Sequence, residues 1–283
     1  MPELARSAFK LFRMAISTVL GNRPKGYFIP YRHAAEMPPP GSAAYPAIEE
    51  LFTAAEERQR QFLTNIKKYA EDIEKIGENN PPEPRWDQDW FPRMDAVAAY
   101  VMVREFRPRR IIEVGSGHST RFMARAVRDG ALPTRITAVD PGPRARIDGL
   151  DVETVPELVH EVPPELFGEL GAGDILFVDS SHILMPGTDV DYLFNSVLPR
   201  LPSGVLVHIH DIPLPDPYPD AWTWRGYNEQ LGVALLLQGG AYEILFSSRY
   251  AVTRLKKSFE ETAAAGLPLN KGALETSLWL RKL

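Results

Sequence analysis

The chain has 283 residues, of which 44% are hydrophobic and 24% are charged, as is typical of a folded globular protein. It contains no cysteine, which excludes disulfide bonds, thiolate metal sites and a cysteine nucleophile, and a reducing, cytoplasmic location is expected. The formal net charge of −5 leaves no chain-wide basic surface, so we expect no nucleic-acid partner.

The chain opens with an amphipathic segment, residues 4–20, whose polar face is basic. No apolar run in the sequence approaches the roughly 20 residues that a membrane-spanning helix needs, so we expect no stable membrane insertion. The segment predicts a helix with two possible interpretations. It packs on the body of the protein or on a second subunit, which would give a homodimer, or it lies on a membrane surface.

A connector, a long helix and a linker are predicted next. Residues 21–41 are rich in proline and glycine and predict an extended connector, and residues 77–84 predict a linker. Between them, over residues 46–76, apolar residues recur at helical spacing and predict one amphipathic helix of roughly 30 residues. We therefore predict an N-terminal helical appendage with its linker over residues 1–84 and a main domain over residues 85–283.

Strands and helices alternate along the main domain. Short apolar runs predict strands at residues 110–114, 135–140, 152–155, 174–179, 204–210, 242–247 and 276–280. Amphipathic stretches predict helices at residues 94–105, 118–128, 190–201 and 227–237. This alternation indicates an α/β fold with a parallel sheet and right-handed crossovers.

The first of these strands runs into a glycine-rich turn, Gly115-Ser116-Gly117, and a helix opens directly after it. In a parallel sheet such a turn lets the backbone approach a nucleotide, and the helix N-terminus adds unpaired N–H groups. Asp140, at the end of the second strand, is placed to accept hydrogen bonds from both hydroxyls of a ribose. A ligand that contains a nucleoside is therefore predicted at this edge of the sheet.

Three kinds of nucleotide site begin with such a turn. The loop of phosphate-binding NTPases needs a lysine after the glycines, and none follows here. The dinucleotide fingerprint needs a third glycine where Thr120 stands, although Asp140 would fit the ribose of NAD as well. Glu113, one residue before the end of the first strand, would repel a pyrophosphate and attract a cationic ligand. An NAD(P)-dependent oxidoreductase remains an alternative that this charge argument disfavours.

The residues Glu113, Gly115 and Gly117 resemble the first motif of class I S-adenosylmethionine-dependent methyltransferases, hydrophobic-Glu/Asp-hydrophobic-Gly-x-Gly. The resemblance extends from about Met94 to the C-terminus, and residues 173–182 and 205–212 resemble a bacterial group of that family whose activity is mostly inferred. It implies an α/β, Rossmann-like fold with a seven-stranded mixed sheet in the order 3-2-1-4-5-7-6 and helices on both faces. It also implies S-adenosylmethionine as the cofactor of a methyltransferase; a further alternative is a module that binds this cofactor without turnover.

Within this resemblance the glycine turn and the ends of the strands supply the cofactor site. The loop after the third strand is where such folds usually meet adenine, and His160 and Glu161 are the candidates there. The complete predicted set of cofactor-binding residues is Glu113, Gly115, Ser116, Gly117, Ser119, Thr120, Asp140, His160, Glu161 and Asp179.

A candidate catalytic cluster follows from the same topology, because Asp179 ends the fourth strand and His210 and Asp211 end the fifth. Two carboxylates and an imidazole can coordinate Mg²⁺ or Mn²⁺, so these three residues form a candidate metal site. Metal-dependent catechol-type O-methyltransferases are distantly similar here, but their Asp-Asn pair and lysine base are replaced by His210-Asp211 and His182. The alternative for Asp211 is that it accepts backbone hydrogen bonds in the turn that follows.

His182 is the candidate general base and Asp179 the second catalytic residue, since an imidazole titrates near neutral pH and suits proton removal from a hydroxyl group. The alternative is that His182 anchors its loop through hydrogen bonds. His208 is expected to point to the opposite face of the sheet from His210.

Residues 211–225, directly after the fifth strand, are rich in proline and aromatic residues. A semi-rigid aromatic wall suits a sugar or an aromatic acceptor, and a hydrophobic cover for the sheet edge is an equal alternative. Trp86, Trp90 and Phe91 are expected to close the same pocket. The predicted activity is O-methylation of a small molecule, a sugar or a secondary metabolite.

Overall fold

The computed structural model describes residues 3–21, 23–37, 41, 43–77 and 80–283, the first six of these by their backbone alone. The strands are β1 (Arg110–Val114), β2 (Arg135–Val139), β3 (Glu153–Val155), β4 (Ile175–Val178), β5 (Leu206–Ile209), β6 (Tyr242–Ser247) and β7 (Leu278–Lys282). They form one sheet in the order β3-β2-β1-β4-β5-β7-β6. The pairs among β1 to β5 are parallel, whereas β7 is antiparallel to both β5 and β6. The predicted fold class and strand order are confirmed.

Eleven α-helices surround the sheet within the described residues. They are α1 (Glu3–Val19), α2 (Pro46–Ala54), α3 (Glu56–Ile66), α4 (Ala70–Glu74), α5 (Arg93–Phe106), α6 (His118–Asp129), α7 (Glu165–Gly168), α8 (Asp189–Tyr192), α9 (Glu229–Gln238), α10 (Ser248–Arg254) and α11 (Lys256–Glu260). The helix predicted over residues 190–201 is present as α8, a π-helical turn (Leu193–Val197) and a 3₁₀ turn (Leu198–Arg200).

The core lies on both faces of the central strands. Every residue of β4 is buried, as expected for a parallel strand that helices cover on both sides. Helix α5 is buried from Met94 to Val103 and packs against α6, so it forms an inner layer of the protein. The carboxyl ends of β1, β2, β4 and β5 therefore meet at one edge of a rigid sheet.

The prediction of a single long helix over residues 46–76 is wrong. The chain bends at Ala55, where the backbone leaves helical geometry, and again through a 3₁₀ turn at Lys67–Tyr69. A straight helix of that length would extend about 45 Å and would leave the body of the protein. The bends instead let Phe52 pack on Tyr250 at 5.5 Å between ring centroids and Phe62 on Phe246 at 4.5 Å.

Helices α2 to α4 therefore share one continuous hydrophobic core with the sheet. The division of the chain at residue 84 stays a prediction, and the N-terminal helices contribute buried side chains to the same core as the strands. Parts of the predicted connector and linker, namely Asn22, Pro38 to Pro40, Glu78 and Asn79, lie outside the described residues.

Helix α1 packs against a 3₁₀ turn at Asp220–Arg225, where Lys10 Nζ lies 5.9 Å from the ring centroid of Trp224. Its packing on the body agrees with the first interpretation of this segment. Its other side keeps large apolar residues exposed, among them Phe9, Phe12 and Val19. None of the helices in the described ranges is long and apolar enough to cross a membrane.

The last strand begins two residues later than predicted. The backbone N–H groups of Thr276 and Ser277 donate to the buried carboxylate of Asp95, at 3.0 and 2.8 Å. These donors are therefore not free to join a strand ladder at residues 276 and 277. Asp95 thereby connects α5 to the segment that leads into β7.

Candidate active site

The turn after β1 requires glycine at position 115. Gly115 has a φ of +79°, and a Cβ atom there would lie 1.9 Å from the backbone oxygen of Asp179. The turn is held by hydrogen bonds from Gly115 N to Val139 O and from Asp179 N to Val114 O, at 3.0 and 2.9 Å. Because the ends of β1, β2 and β4 are this close, no larger residue can occupy the position.

Glu113 does not lie where the charge argument placed it. Its side chain is fully buried beneath the first turn of α6, where Ser119 Oγ and Thr120 Oγ1 lie 2.5 and 2.6 Å from its two oxygens. Burial raises the pKa of Glu113 to about 8 against these two hydrogen bonds, which act to lower it. The expected direct contact between Glu113 and a cationic ligand is therefore corrected to a structural role that fixes the glycine turn to the helix.

A cleft of about 440 Å³ opens above the turn, at the carboxyl ends of β1, β2 and β4. Asp140 lines it and organises its floor. Asp140 Oδ2 accepts hydrogen bonds from Ser116 N at 2.7 Å and Ser116 Oγ at 3.0 Å, and Oδ1 accepts one from Gly142 N at 2.8 Å. The carboxylate is held in place and remains at the cleft surface.

The structure brings together four of the predicted cofactor residues in this cleft, namely Gly115, Ser116, Asp140 and Asp179. Ser119 and Thr120 are buried and bonded to Glu113, and Gly117 N donates to Thr120 Oγ1 at 2.9 Å, so these residues shape the turn from below.

The loop after β3 contributes to the cleft through residues that the sequence analysis missed. Glu157, Leu158 and Val159 line the cleft. His160 lines a different, apolar cavity, and the exposed Glu161 accepts a hydrogen bond from Leu158 N at 3.3 Å. The predicted loop is correct, but its contact point lies closer to the strand. Glu157, like Asp140, is a carboxylate just beyond the carboxyl end of a strand, and this pattern in the sequence would have identified it.

The cleft fits S-adenosylmethionine by its chemistry. The close approach at Gly115 leaves room for the ligand beside the strand ends, and Asp140 provides carboxylate oxygens for ribose hydroxyls. Asp179 lines the cleft at its inner end and supplies negative charge for a cationic sulfur. Asp179, and not Glu113, is therefore the carboxylate from the ends of β1 and β4 that lines the cleft.

A cluster of acids and imidazoles lies at the ends of β4 and β5. His182 Nε2 is 3.3 Å from Asp179 Oδ1 and 3.5 Å from Asp211 Oδ2. His210 Nδ1 is 3.5 Å from Asp179 Oδ1 and 3.7 Å from Asp211 Oδ1. His182 and Asp211 both have positive φ values, which are sparsely populated by non-glycine residues and which the surrounding structure must maintain.

The electrostatics of the cluster favour charged imidazoles. Burial alone would lower the pKa of His182 and His210, but the carboxylates around them outweigh burial and raise both pKa values well above the ordinary value. Burial would conversely raise the pKa of Asp179, and the imidazolium groups of His210 and His182 hold that pKa well below its usual range. The resting cluster is a set of alternating negative and positive charges.

His182 is enclosed by this cluster and by the protein interior. It is 1% exposed, and its Nδ1 lies 2.9 Å from Glu229 Oε2, while its Nε2 faces Asp179 and Asp211. Both ring nitrogens are occupied and the side chain lines neither the cleft nor the neighbouring cavity. This geometry agrees with the alternative that His182 anchors its loop. His210, by contrast, lines a second cavity that is described below.

The cluster does not fit a metal centre. Among the residues that the structure describes, no three His, Asp or Glu side chains are arranged to hold a metal ion. His210 Nε2 is occupied by Asp95 Oδ2 at 3.2 Å, and its Nδ1 lies 3.5 Å from Asp179 Oδ1. The predicted Mg²⁺ or Mn²⁺ site at Asp179, His210 and Asp211 is therefore replaced by a network of ion pairs.

The expected orientation of His208 is wrong. Residues two apart on a strand share one face, and the rings of His208 and His210 lie 5.9 Å apart at an angle of 23°. His208 stacks on Phe177 at 3.7 Å, its Nε2 is 2.9 Å from Ser277 Oγ, and burial lowers its pKa well below the ordinary value. The structural role expected for His208 is consistent with this packing.

A second cavity of about 600 Å³ lies beside the cleft and shares Asp179 and Arg144 with it. Its polar floor contains His210 and Asp211, and its walls are aromatic. The aromatic residues that line it are Trp90, Trp222, Trp224 and Tyr227. Of the other aromatic residues expected here, Trp86 packs on Phe122 and Phe91 packs between Phe177 and His210, so both belong to the core.

Arg225 supports the aromatic wall. Its guanidinium carbon lies 4.5 Å from the ring centroid of Trp222 and 5.3 Å from that of Tyr227, and its Nη1 lies 3.6 Å from Asp211 Oδ2. Stacking and the ion pair together hold the wall against the acidic floor. We refer to this second space as the acceptor cavity.

The centre of the chain matches a known family. Residues 112–212 match a family model described as a methyltransferase domain. A search of curated proteins finds no match to the chain.

Several solved structures are distantly similar. A methyltransferase from Podospora anserina, bound to S-adenosylhomocysteine, has 14% identity and a TM-score of 0.42 over 92% of this chain and 100% of that one. An O-methyltransferase from Bacillus cereus, also with S-adenosylhomocysteine, has 12% identity and a TM-score of 0.41 over 79% and 91%. The O-methyltransferase TomG from Streptomyces achromogenes has 13% identity and a TM-score of 0.40 over 78% and 89%. Likenesses this distant carry no functional argument for the present chain.

Proposed function

We propose that this chain is a class I S-adenosylmethionine-dependent methyltransferase that methylates a hydroxyl oxygen of a small molecule; the methyltransferase-domain model over residues 112–212 and the strand order support this proposal. A sugar or a secondary metabolite is the acceptor class that the aromatic cavity favours. The observation that carries the proposal is the position of Asp179, which lines both the cleft and the acceptor cavity. A donor in the one and an acceptor in the other would meet at this residue.

The chain holds the donor through the residues of the cleft. Ser116 and Asp140 would hold the ribose, Glu157 and Leu158 would border the adenine, and Asp179 would lie beside the sulfonium; all five residues line the cleft. When bound, S-adenosylmethionine supplies an electrophilic methyl group on a cationic sulfur. The chain contributes alignment, because two adjoining cavities with rigid walls set the direction of an in-line displacement.

The acceptor is oriented by the aromatic wall and the polar floor of its cavity. Trp222 and Tyr227 contact the flat or apolar side of the acceptor, and Asp179 and Asp211 accept hydrogen bonds from its hydroxyl groups. These contacts direct one hydroxyl oxygen toward the shared boundary with the cleft.

His210 is the residue that takes the hydroxyl proton, at Nδ1, the nitrogen beside Asp179 and Asp211. Its pKa is raised, so it must first release its Nδ1 proton to water in the acceptor cavity, which it lines, before it can take the proton of the hydroxyl group. A cationic donor bound beside Asp179 would offset that carboxylate and lower the pKa of His210, in favour of the neutral imidazole. His182 acts as a positioning residue that holds Asp179 and Asp211 in register.

The test of the proposed function is a thermal-shift comparison of S-adenosylmethionine, S-adenosylhomocysteine, NAD⁺ and NADP⁺ with the full chain. A ligand that binds the folded state raises the midpoint in proportion to ln(1 + [L]/Kd). We expect a rise with the first two ligands and none with the nicotinamide cofactors. A screen of phenols, sugars and amines with methyl-labelled donor then reports the site of methylation, and labelled products that carry the methyl group on nitrogen alone would refute the assignment to oxygen.

The exposed side of α1 supports a further proposal, a homodimer formed through this helix. Phe9, Phe12 and Val19 are each more than half exposed, which is unfavourable for a free surface. Light scattering of the wild type and of Phe12→Glu tests this, with Leu235→Glu on α9 as the exposed control. A monomeric wild type would rule out the dimer.

A cytoplasmic location without nucleic-acid partners remains proposed from the composition.

A further inference from the structure

A third cavity, of about 800 Å³, lies beneath α1, and the chemistry proposed above does not use it. One face of α1, which includes Leu11 and Met14, forms its roof together with the segment around Phe28. Ile183, Met185 and Trp224 belong to its floor on the body of the protein. We call it the apolar cavity. Its volume lies in the range of cavities that bind small organic ligands.

The lining of the apolar cavity is unusual for a surface open to water. Leu11, Phe28, Ile29 and Trp224 are 39%, 72%, 63% and 41% exposed, and all four line this one cavity. Single exposed apolar residues are ordinary, but a contiguous group around a concave surface marks a binding site for apolar material. A ligand that removes these side chains from water would therefore bind with a favourable hydrophobic contribution to its free energy.

The apolar cavity adjoins the acceptor cavity. Trp224 and Arg225 line both, so the same short segment forms the boundary between them. Arg225 lies against Trp222 and near Asp211, so its charged guanidinium group stands between the acidic floor of the acceptor cavity and the apolar cavity. An elongated molecule with its hydroxyl group at Asp179 would pass this segment to reach the space under α1.

We propose that the methyl acceptor is amphiphilic, with its hydroxyl-bearing head in the acceptor cavity and an apolar chain in the apolar cavity under α1. This inference rests on the proposed transfer to a hydroxyl group and names the acceptor class more closely. It also gives α1 a function, because the helix supplies one wall of the chain-binding space.

The experiment compares p-cresol with 4-octylphenol, two phenols that differ in their alkyl chain, by isothermal titration into the full-length protein. Burial of the additional methylenes predicts a Kd for 4-octylphenol that is about tenfold lower or more. Ile183→Trp, which fills the floor, and Met14→Asp, which charges the roof, should remove this preference. Leu235→Asp, at an exposed apolar residue of α9 outside the lining of the cavity, is the control and should retain it.

A second variant separates the head from the chain. Trp90→Ala removes an exposed ring that lines the acceptor cavity, so it should weaken both phenols by the same factor. Equal affinities of the wild type for the two phenols, or a preference that persists in both Ile183→Trp and Met14→Asp, would overturn the inference. Titration of S-adenosylmethionine keeps the two proposals distinct, because a protein that prefers 4-octylphenol but does not bind the donor refutes the proposed function alone.

Discussion

Asp140 is the residue on which cofactor affinity should depend most directly. Its carboxylate is held by three donors from Ser116 and Gly142 and lies at the surface of the cleft. Asp140→Asn removes the charge, and a charged hydrogen bond contributes about 1.5–3 kcal/mol. The Kd for S-adenosylhomocysteine should rise about tenfold or more, as measured by titration calorimetry. Asp148→Asn, an exposed acid outside the cleft, is the control, and an unchanged Kd in Asp140→Asn would contradict the assignment.

Glu113 should make stability depend on pH. Its pKa rises from 4.5 to about 8 on folding, so between these values the folded state binds more protons than the unfolded state. The contribution of this group to the free energy of unfolding therefore falls as pH rises through that window. Glu113→Gln removes the penalty, and its free energy of unfolding relative to wild type should increase from about pH 5 to about pH 8 in urea titrations.

The control for this series is Glu165→Gln, at an exposed acid of α7. Its difference from wild type should stay flat over the same range. A flat difference for Glu113→Gln as well would show that folding does not raise the pKa of this carboxyl, which would contradict the prediction.

At the scale of elements, the turn between β1 and α6 brings the ends of β1, β2 and β4 together at the site. Gly115→Ala places a Cβ atom against the backbone of Asp179 at a positive φ, so either the turn or β4 must move. Strain of this kind costs about 1–3 kcal/mol. We expect a loss of at least about 2 kcal/mol in the free energy of unfolding, together with loss of donor binding.

Gly168→Ala is the matched control, since nothing lies within 4 Å of a Cβ atom there. Denaturant unfolding and calorimetry on both variants check the prediction. Wild-type stability in Gly115→Ala would mean that the close approach to Asp179 is not a constraint.

The elements around this turn show what local patterns predict well. The β1 strand, the turn and the start of α6 appear at the predicted residues because apolar runs, glycines and helix starts are local signals. The break of the predicted long helix at Ala55 was not foreseen, since apolar spacing continues through the bend and the partner rings of Tyr250 and Phe246 come from distant sequence.

At the scale of the whole molecule, the N-terminal helices and the sheet should unfold together. Phe52 is fully buried in the core that both regions share, and Phe52→Ala should cost about 3–5 kcal/mol. Leu235→Ala, at an exposed residue of α9, should change the free energy of unfolding by less than about 0.5 kcal/mol. Calorimetry and circular dichroism should report a single transition for Phe52→Ala. Two separate transitions would support an independent appendage over residues 1–84.

The sequence by itself determined the glycine turn, the place of Asp140 at the end of the second strand and the meeting of Asp179, His210 and Asp211 at one sheet edge, whereas the strand order came from the resemblance to class I methyltransferases. These follow from residue type and from which strand end a residue occupies, and both can be read along the chain.

Tertiary structure decided which of these side chains faces a ligand. Glu113 turned under α6, His182 was enclosed by Glu229, 47 residues away, and His210 was paired with Asp95, 115 residues away. Burial and pairing set protonation, and both depend on neighbours that only folding brings into contact. For the same reason the ion pairs replaced the predicted metal site, and the cavity under α1 became visible only when the helix had packed on the body.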